Sequence, residues 1–265
     1  MIIERRITFY CRDDGLPSYL ARELRRLSNY VSSQVALVNL TQLQVADIAS
    51  PLAVISLACK PGDLCQLLIE GLDAELGHLI LTDYVAEHFP LVIRGGNKSA
   101  KGVDELQPCL SPSLIHFTPQ QVQFFPTHQD KPELIKELVH AIPKELIRDP
   151  LQLHEALMQR EALCATAMGR GIALPHTLSD SVAQPALIAG VLPESIDWHS
   201  SVGMVSRVIL MLLPRHAKPT VIEGFVGLTR SLLEPLYCQA LCQATHPQVL
   251  HAIISLGLRQ AGRSP

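Results

Sequence analysis

The histidine at position 176 has the sequence setting that best suits chemistry. It closes the run Met168-Gly-Arg-Gly-Ile-Ala-Leu-Pro-His176. The apolar residues 172–174 predict the end of a buried strand, and Pro175 fixes φ just before the histidine while removing a competing backbone donor. Gly169 and Gly171 are expected to let another surface approach closely. The pattern therefore predicts an imidazole presented at a strand end.

Phosphoryl transfer is a chemistry that such a histidine could perform. It needs a neutral ring nitrogen in line with phosphorus, and cationic or N–H donors for the charge on the equatorial oxygens. One ring nitrogen of His176 can be held by an acceptor such as a backbone carbonyl while the other attacks, and sequence leaves the tautomer open. Arg160, upstream of His176, offers a planar fork of donors for two phosphoryl oxygens.

Each of these residues also has an ordinary interpretation when it is considered alone. An isolated Pro-His pair is most often a surface or core histidine. Arg160 and Glu161 alone would form a solvated helix end. Thr166 alone would be a helix cap or turn residue, and the two glycines a turn.

The complete spacing favours the chemical interpretation. The pattern Arg160-Glu-(x4)-Thr166-(x2)-Gly169-Arg-Gly171-Ile-Ala-x-Pro175-His176 resembles the phosphorylation-site segment of mannitol- and fructose-type enzyme IIA domains of the bacterial sugar phosphotransferase system. The resemblance extends, more weakly, from about Ser113 to Leu258. It implies phosphorylation of His176 at Nε2 with Arg160 as the phosphoryl-binding cation, and supporting roles for Thr166, Gly169 and Gly171.

Two positions depart from that family pattern. The second active-site histidine of the family falls at Val221, which can neither donate a hydrogen bond nor carry charge. His216, in the preceding loop, would compensate only if that loop folded inward, and a solvated loop histidine is the expected outcome. Thr177 stands where glycine is common, which would restrict a partner's approach.

The elements before residue 90 alternate between strand-like and helix-like patterns. The six segments identified are residues 7–11, 19–31, 34–40, 51–59, 63–70 and 74–89, interpreted as a βαββαβα unit. Asp14 to Ala21, Ala49 to Pro51 and Lys60 to Asp63 resemble HPr, the histidine phosphocarrier protein. Pro17 stands in the place of the phosphorylated histidine and Tyr19 in that of the arginine, so no phosphohistidine chemistry is expected from this unit.

The remaining surface features of this unit have two predicted roles. Ser50 matches a regulatory serine of HPr, but as an N-cap ahead of Pro51 it has a structural role, which we favour. The helix faces are unusually apolar for a solvated surface and predict docking of a partner or of the IIA domain. The residues of that predicted docking face are Leu16, Tyr19, Leu20, Leu52 and Ile55.

Glycine, proline and small polar residues in 94–113 predict a linker between two different folds. The predicted domains are an HPr-like domain at 1–92, a linker at 93–112 and a IIA-type domain at 113–262. In the second, strands near 114–117, 122–125, 186–192 and 207–213 alternate with helices after Asp130 and at 150–159, 221–232 and 247–258. The predicted fold class is α+β or α/β: an open-faced βαββαβα sandwich, then a mixed sheet flanked by helices on both faces.

Composition limits the classes of partner. A net charge of -3 and a pI near 6.4 give no basic surface for nucleic acid or anionic membranes. The longest apolar runs are shorter than the ~18 residues that a membrane span needs. The charged start of the chain does not resemble a secretory signal, so a cytoplasmic protein is expected, reaching a membrane transporter only through its partners.

No cofactor, metal or disulfide is expected. The seven cysteines form an odd, scattered set in mostly apolar contexts, which favours reduced core thiols. Cys238, Cys242, His246 and His251 could be imagined as a zinc site, but their spacing matches no recognised ligand pattern.

The resemblance implies a phosphoryl carrier that takes phosphate from phospho-HPr on His176 and passes it to a cysteine of enzyme IIB. Enzyme I or a regulator is a further candidate partner. The alternative is a non-catalytic regulator whose phosphorylation state controls a partner. Loss of the histidines at positions 17 and 221 favours that alternative, so whether the chain is enzymatic remains open.

Overall fold

The computed structural model describes residues 2–93, 114–126 and 130–260. The chain divides into two compact units, Met1–Ser111 and Pro112–Pro265. Apart from Ile93, the linker predicted at 93–112 lies outside the described residues and stays a prediction. Within those residues, no helix combines the length and the apolar character that crossing a bilayer requires.

The N-terminal unit has the predicted βαββαβα order. Its elements are β1 (Ile3–Tyr10), α1 (Ser18–Ser28), β2 (Gln34–Asn39), β3 (Gln44–Asp47), α2 (Pro51–Ser56), β4 (Leu64–Gly71) and α3 (Ala74–His88). Their strands form an antiparallel sheet of order β1-β4-β2-β3. Sequence did not locate β3, because Gln-Val-Ala-Asp is a short edge strand without an apolar run.

The helices cover one face of this sheet. Phe9, Leu37 and Leu67 project from three strands into a core shared with the helices. The other face carries a polar chain, in which Arg6 Nη1 donates to Gln66 Oε1 at 3.0 Å and Gln66 Nε2 donates to Thr8 Oγ1 at 3.0 Å. Because successive side chains of a strand point to opposite faces, this is the predicted open-faced arrangement.

The predicted docking face is smaller than expected. Leu16 and Leu20 are buried in the core, because they lie on the inner side of the turn into α1 and of α1 itself. Tyr19 is 60% exposed and Leu52 is 78% exposed, so these positions keep the predicted exposure. The structural role of Ser50 is confirmed, since its side chain accepts a hydrogen bond from the backbone N–H of Ala53 at 3.4 Å.

The C-terminal unit alternates strands and helices more densely. Its elements are β5 (Val122–Phe124), α4 (Lys131–His140), α5 (Pro150–Leu163), β6 (Ala167–Gly169), β7 (Ile172–Ala173), β8 (His176–Ser179), β9 (Ala186–Ile196), β10 (Val205–Pro214), α6 (Pro219–Leu233), α7 (Pro235–Gln243) and α8 (Pro247–Arg259). The strand predicted near 114–117 is only an isolated bridge between His116 and Ala186. Proline in the first turn marks the start of every helix from α4 onward in the described residues.

Strand β10 is the centre of a mixed sheet. It pairs antiparallel with β9 and parallel with both β7 and β8, in the order β5-β9-β10-β7-β6. Ile188 and Leu210 pack into one core with α4 and α5. Leu187 and Ile209 point to the opposite face and are buried as well. The predicted mixed sheet with both faces covered is confirmed.

Candidate active site

A tight hairpin precedes His176. Gly169, Arg170 and Gly171 have φ values of 85°, 53° and 80°, as the two-residue connection between β6 and β7 requires. A Cβ at Gly171 would lie 3.3 Å from Ser206 Oγ, whereas one at Gly169 would lie 3.9 Å from its nearest contact, Val202. The approach of another surface at these glycines stays a prediction. The glycines are needed for the left-handed backbone of the turn.

The backbone around His176 is hydrogen-bonded from two sides. The N–H of Leu174 donates to the carbonyl of Thr166 at 3.0 Å, and the N–H of Met211 donates to the carbonyl of Pro175 at 2.9 Å. His176 then opens β8, in parallel register with Met211 of β10. Pro175, which has no N–H to place in the sheet, separates β7 from β8. The histidine therefore sits at a fixed break beside the central strand.

The ring of His176 is oriented by its own backbone. Nδ1 lies 2.9 Å from the carbonyl oxygen of Leu174. Because a carbonyl can only accept, Nδ1 carries the ring proton in the neutral state, and Nε2 keeps its lone pair. The side chain is half-buried, and Nε2 is the ring nitrogen that keeps an unprotonated lone pair.

Glu161 fixes the segment to which Leu174 binds. Its carboxylate accepts from the N–H of Thr166 at 2.9 Å and from the Thr166 hydroxyl at 2.6 Å. Glu161 is only 4% exposed, so the interpretation as a solvated helix end is wrong. Thr166 is also buried and is not a helix cap, since its hydroxyl and N–H are both bound by Glu161. Thr166 thus supports His176 through the backbone of Leu174.

Lys131 is a site-supporting residue that sequence analysis missed. Its Nζ lies 3.6 Å from Glu161 Oε1 and donates to the carbonyl of Trp198 at 3.1 Å. The same ammonium lies 5.7 Å from the centre of the Trp198 ring. The side chain of Lys131 is 12% exposed and that of Glu161 is 2% exposed, so removing either charge would leave the other without an ionic partner. No local pattern could have indicated this pair, because the two residues lie on different helices.

Arg160 is near the end of α5 and is not hydrogen-bonded to His176 in the described structure. Its Nη1 donates to the carbonyl of Cys164 at 3.2 Å, in the loop that follows its own helix. The residue is half-buried and keeps further guanidinium N–H groups for an anion. Its role toward a phosphoryl group remains a proposal.

The start of α6 supplies no second histidine. Val221 is 3% exposed and belongs to the apolar interior of the unit. His216 is exposed in the loop between β10 and α6, as expected of a solvated histidine. Beside it, Arg215 Nε forms an ion pair with Asp180 Oδ2 at 2.7 Å, close to the end of β8. Buried Thr177 follows His176 directly.

Cys242 of α7 takes part in hydrogen bonds that hold the C-terminal unit together. The Cys242 thiol donates to the carbonyl of Arg170 at the hairpin tip, at 3.4 Å. The Cys242 carbonyl accepts from Nη2 of buried Arg207 at 2.6 Å, and burial lowers the pKa of that guanidinium. His251 Nε2 lies 3.1 Å from the carbonyl of Phe117. These contacts do not gather Cys238, Cys242, His246 and His251 into one group of metal ligands among the described residues.

Curated relatives match the chain over parts of their length. Multiphosphoryl transfer protein 1 of Escherichia coli K12 is 29% identical over 109 residues, covering 41% of this chain and 13% of that protein. The fructose-specific EIIABC component of Bacillus subtilis is 27% identical over 129 residues, covering 48% and 20%. The fructose-like EIIA component of E. coli K12 is 29% identical over 111 residues, covering 42% and 75%. The chain therefore spans a minor part of the two larger relatives.

Solved structures resemble each unit separately. The nitrogen regulatory protein IIA-Ntr of Neisseria meningitidis aligns with a TM-score of 0.47 and 20% identity, covering 52% of this chain and 94% of that one. The histidine-containing phosphocarrier protein of Mycoplasma aligns with a TM-score of 0.29 and 16% identity, covering 32% and 93%.

A family profile matches the C-terminal unit, including the segment that contains His176. The profile described as "Phosphoenolpyruvate-dependent sugar phosphotransferase system, EIIA 2" matches residues 115–256, which is more than half of the chain. The matched range includes the β6–β7 hairpin, His176, and Glu161 with its partners Thr166 and Lys131. The chain belongs to the EIIA 2 family of the phosphoenolpyruvate-dependent sugar phosphotransferase system.

Proposed function

We propose that this protein is a phosphoryl carrier that accepts phosphate from phospho-HPr on Nε2 of His176 and passes it to a cysteine of enzyme IIB. The observation that carries the proposal is the contact of Nδ1 with the Leu174 carbonyl at 2.9 Å. It fixes the tautomer and leaves the Nε2 lone pair for an in-line attack.

The proposed cycle is balanced in atoms and charge. Nε2 attacks phosphorus while the P–N bond to the donor histidine breaks, and the donor nitrogen recovers its electron pair. In the second step a cysteine thiolate attacks the same phosphorus, and the Nε2–P bond breaks to return the neutral ring. Throughout, Nδ1 keeps its proton on the Leu174 carbonyl, and Arg160 binds equatorial oxygens of the phosphoryl group.

The division of labour follows from the two units. We propose an HPr-like domain at 1–92, a linker at 93–112 and the phosphoryl-carrying domain at 113–262. Pro17 is the N-cap of α1, and Tyr19 lies in its first turn. Neither side chain carries a basic nitrogen that could accept a phosphoryl group. We propose that the phosphoryl group reaches His176 from an HPr domain other than this unit. Its partners work in the cytoplasm, and we propose the same compartment for this chain.

A non-catalytic regulator is the second candidate. The observation that favours it is Val221, which is buried and supplies no donor at the position of the family's second histidine. Without that donor the phosphorylated ring loses a charged hydrogen bond, worth about 1.5–3 kcal/mol. Such a protein would be phosphorylated on His176 and would change its binding to a transporter or regulator without passing the group on.

The deciding experiment is phosphorylation of the full chain by enzyme I, HPr and phosphoenolpyruvate, followed by intact mass measurement. We expect a gain of one phosphoryl group in the wild type and none in His176→Ala. Equal labelling of His176→Ala would overturn the assignment of the site. Adding IIB then separates the two candidates, because a carrier loses the label to IIB and a regulator retains it.

A further inference from the structure

Three cysteines from separate segments meet in the N-terminal unit. Cys11 follows β1, Cys59 lies in the loop between α2 and β4, and Cys65 lies in β4. Their Sγ atoms all lie within 4.8 Å of one another, and the Cys11 and Cys65 sulfurs are 3.6 Å apart. They form the one group of three or more potential metal ligands found among the described residues. We call Cys11, Cys59 and Cys65 the thiol cluster.

We propose that the thiol cluster binds one zinc ion through three thiolates. Tetrahedral zinc holds thiolate sulfur at about 2.3 Å, which places two sulfurs of one site somewhat under 4 Å apart. The Cys11–Cys65 separation already meets that spacing. Thiolate ligands favour soft and borderline metal ions such as Zn²⁺ over Mg²⁺ or Ca²⁺. The fourth position is left for a solvent molecule, because the cluster contributes three protein ligands.

The surroundings of the cluster favour a cation. Asp63 is 4% exposed, and in the described structure no Lys, Arg or His forms an ion pair with it. Its Oδ2 accepts only from neutral groups, which are Asn39 Nδ2 at 2.8 Å, Gln42 Nε2 at 2.5 Å and the N–H of Lys60 at 2.8 Å. The negative charge of this buried carboxylate is not balanced by a cationic side chain, so a divalent ion bound by the three nearby thiols would be attracted to it.

Asn39 connects that carboxylate to the cluster. The same Nδ2 that donates to Asp63 lies 3.4 Å from Cys59 Sγ. A donor at this distance stabilises negative charge on a metal-bound sulfur. Cys59 is also the half-buried member, whereas Cys11 and Cys65 are fully buried. Solvent and metal therefore reach the cluster past Cys59.

The backbone holds Cys59 in place. Ala58 has φ of 45°, a strained value for a residue with a side chain. A Cβ at Gly15 would lie 2.1 Å from the Cys59 carbonyl oxygen, so only glycine allows the β1–α1 loop to rest on it. The thiolates are thus presented by segments that are already fixed, which lowers the ordering needed on binding.

Binding is written as Zn²⁺ + 3 RSH → Zn(SR)₃⁻ + 3 H⁺, so affinity rises with pH. The test is titration of the reduced full chain with ZnCl₂ against a chromogenic chelator, with CoCl₂ as a spectroscopic probe. We expect one zinc per chain and thiolate-to-cobalt charge-transfer absorption. Both should be lost in Cys59→Ser, the least disruptive variant, and retained in Cys164→Ser, whose thiol is exposed in the other unit.

Two further measurements guard against misfolding. Asp63→Asn leaves all three thiols in place, and loss of the neighbouring charge should weaken zinc binding by about 10-fold or more, as outer-sphere changes do. In the wild type, equimolar zinc should protect Cys59, the half-buried thiol of the cluster, from alkylation. Undiminished zinc binding by Cys59→Ser would overturn the proposal. So would a wild type that binds no zinc and instead forms a Cys11–Cys59 or Cys11–Cys65 disulfide with peroxide.

Discussion

His176 and Leu174 are joined by a hydrogen bond within a single tripeptide, from Nδ1 of the ring to a carbonyl two residues earlier. The bond needs no partner from elsewhere in the fold. Its geometry depends instead on how firmly Leu174 is held, and the Thr166 carbonyl holds it at 3.0 Å. Orientation of the ring is thereby separated from the chemistry at Nε2.

His176→Asn should keep the fold and lose phosphorylation. The asparagine amide nitrogen occupies nearly the position of Nδ1 and can donate to the Leu174 carbonyl, but it has nothing in the place of Nε2. We expect its stability to lie within about 1 kcal/mol of the wild type. Urea denaturation and intact mass after incubation with the phosphoenolpyruvate-driven relay give the two readouts. Label on the asparagine variant would show that the phosphate is carried elsewhere.

Glu161→Gln should destabilise the C-terminal unit by about 3 kcal/mol. The amide cannot balance the buried Lys131 ammonium, and breaking one side of a buried ion pair is expensive. The matched control is Glu155→Gln, an exposed position on the same helix, where a change within about 0.5 kcal/mol is expected. Denaturation followed by circular dichroism compares them. Equal stability of the two variants would contradict a stabilising role of the Lys131–Glu161 pair.

Val221→His should shift the phosphotransfer equilibrium toward the phosphorylated protein. A restored donor is worth about 1.5–3 kcal/mol to the phosphoryl group. Because Val221 is buried, the unphosphorylated variant should melt at a lower temperature than the wild type. Val221→Met is the apolar control and should leave the equilibrium unchanged. If the histidine variant also leaves it unchanged, another group already binds the phosphoryl oxygens.

Asp73 should make the N-terminal unit sensitive to acid. Its carboxylate accepts from the backbone N–H groups of Ser32 and Ser33 and from both hydroxyls, which lowers its pKa from 3.8 to about 2. A lowered pKa gives stability that is complete above the unfolded value and disappears as the pH falls from about 3.8 through about 2.

The measurement is denaturation of the wild type and Asp73→Asn across that pH range. The stability difference between them should be constant at higher pH and should shrink in the window from 3.8 to about 2. A difference that does not vary with pH would show that the Asp73 hydrogen bonds are equally strong in the protonated state.

Local patterns predicted most of the elements and the position of His176. The sequence indicated helices that start after Asp130 and at Pro150. In the structure, the side chains of Asp130 and Asp149 cap these helices by accepting from the backbone N–H three residues further on. Long apolar runs marked β9 and β10. What local patterns could not show was β3, whose place is set by pairing with β2 and not by its own composition.

The supporting residues of the site were harder to predict for the same reason. Glu161 looks like an exposed helix residue until Lys131 is brought to it by the packing of α4 against α5. The thiol cluster is likewise created by the pairing of β1 with β4, since no ligand spacing links Cys11 to Cys65. Contacts between residues distant in sequence decide such features, and a single sequence does not reveal them.

The backbone N–H of Met211 limits how far the segment around His176 can move. That N–H donates to the Pro175 carbonyl from the central strand, and Met211 itself is buried. Its hydrogen should exchange slowly with solvent, because exchange requires the segment that carries His176 to separate from the central strand. Slow exchange at Met211 would indicate that the backbone at His176 is held as firmly as the core. Under the proposed function, a partner would then have to adjust to the position of Nε2.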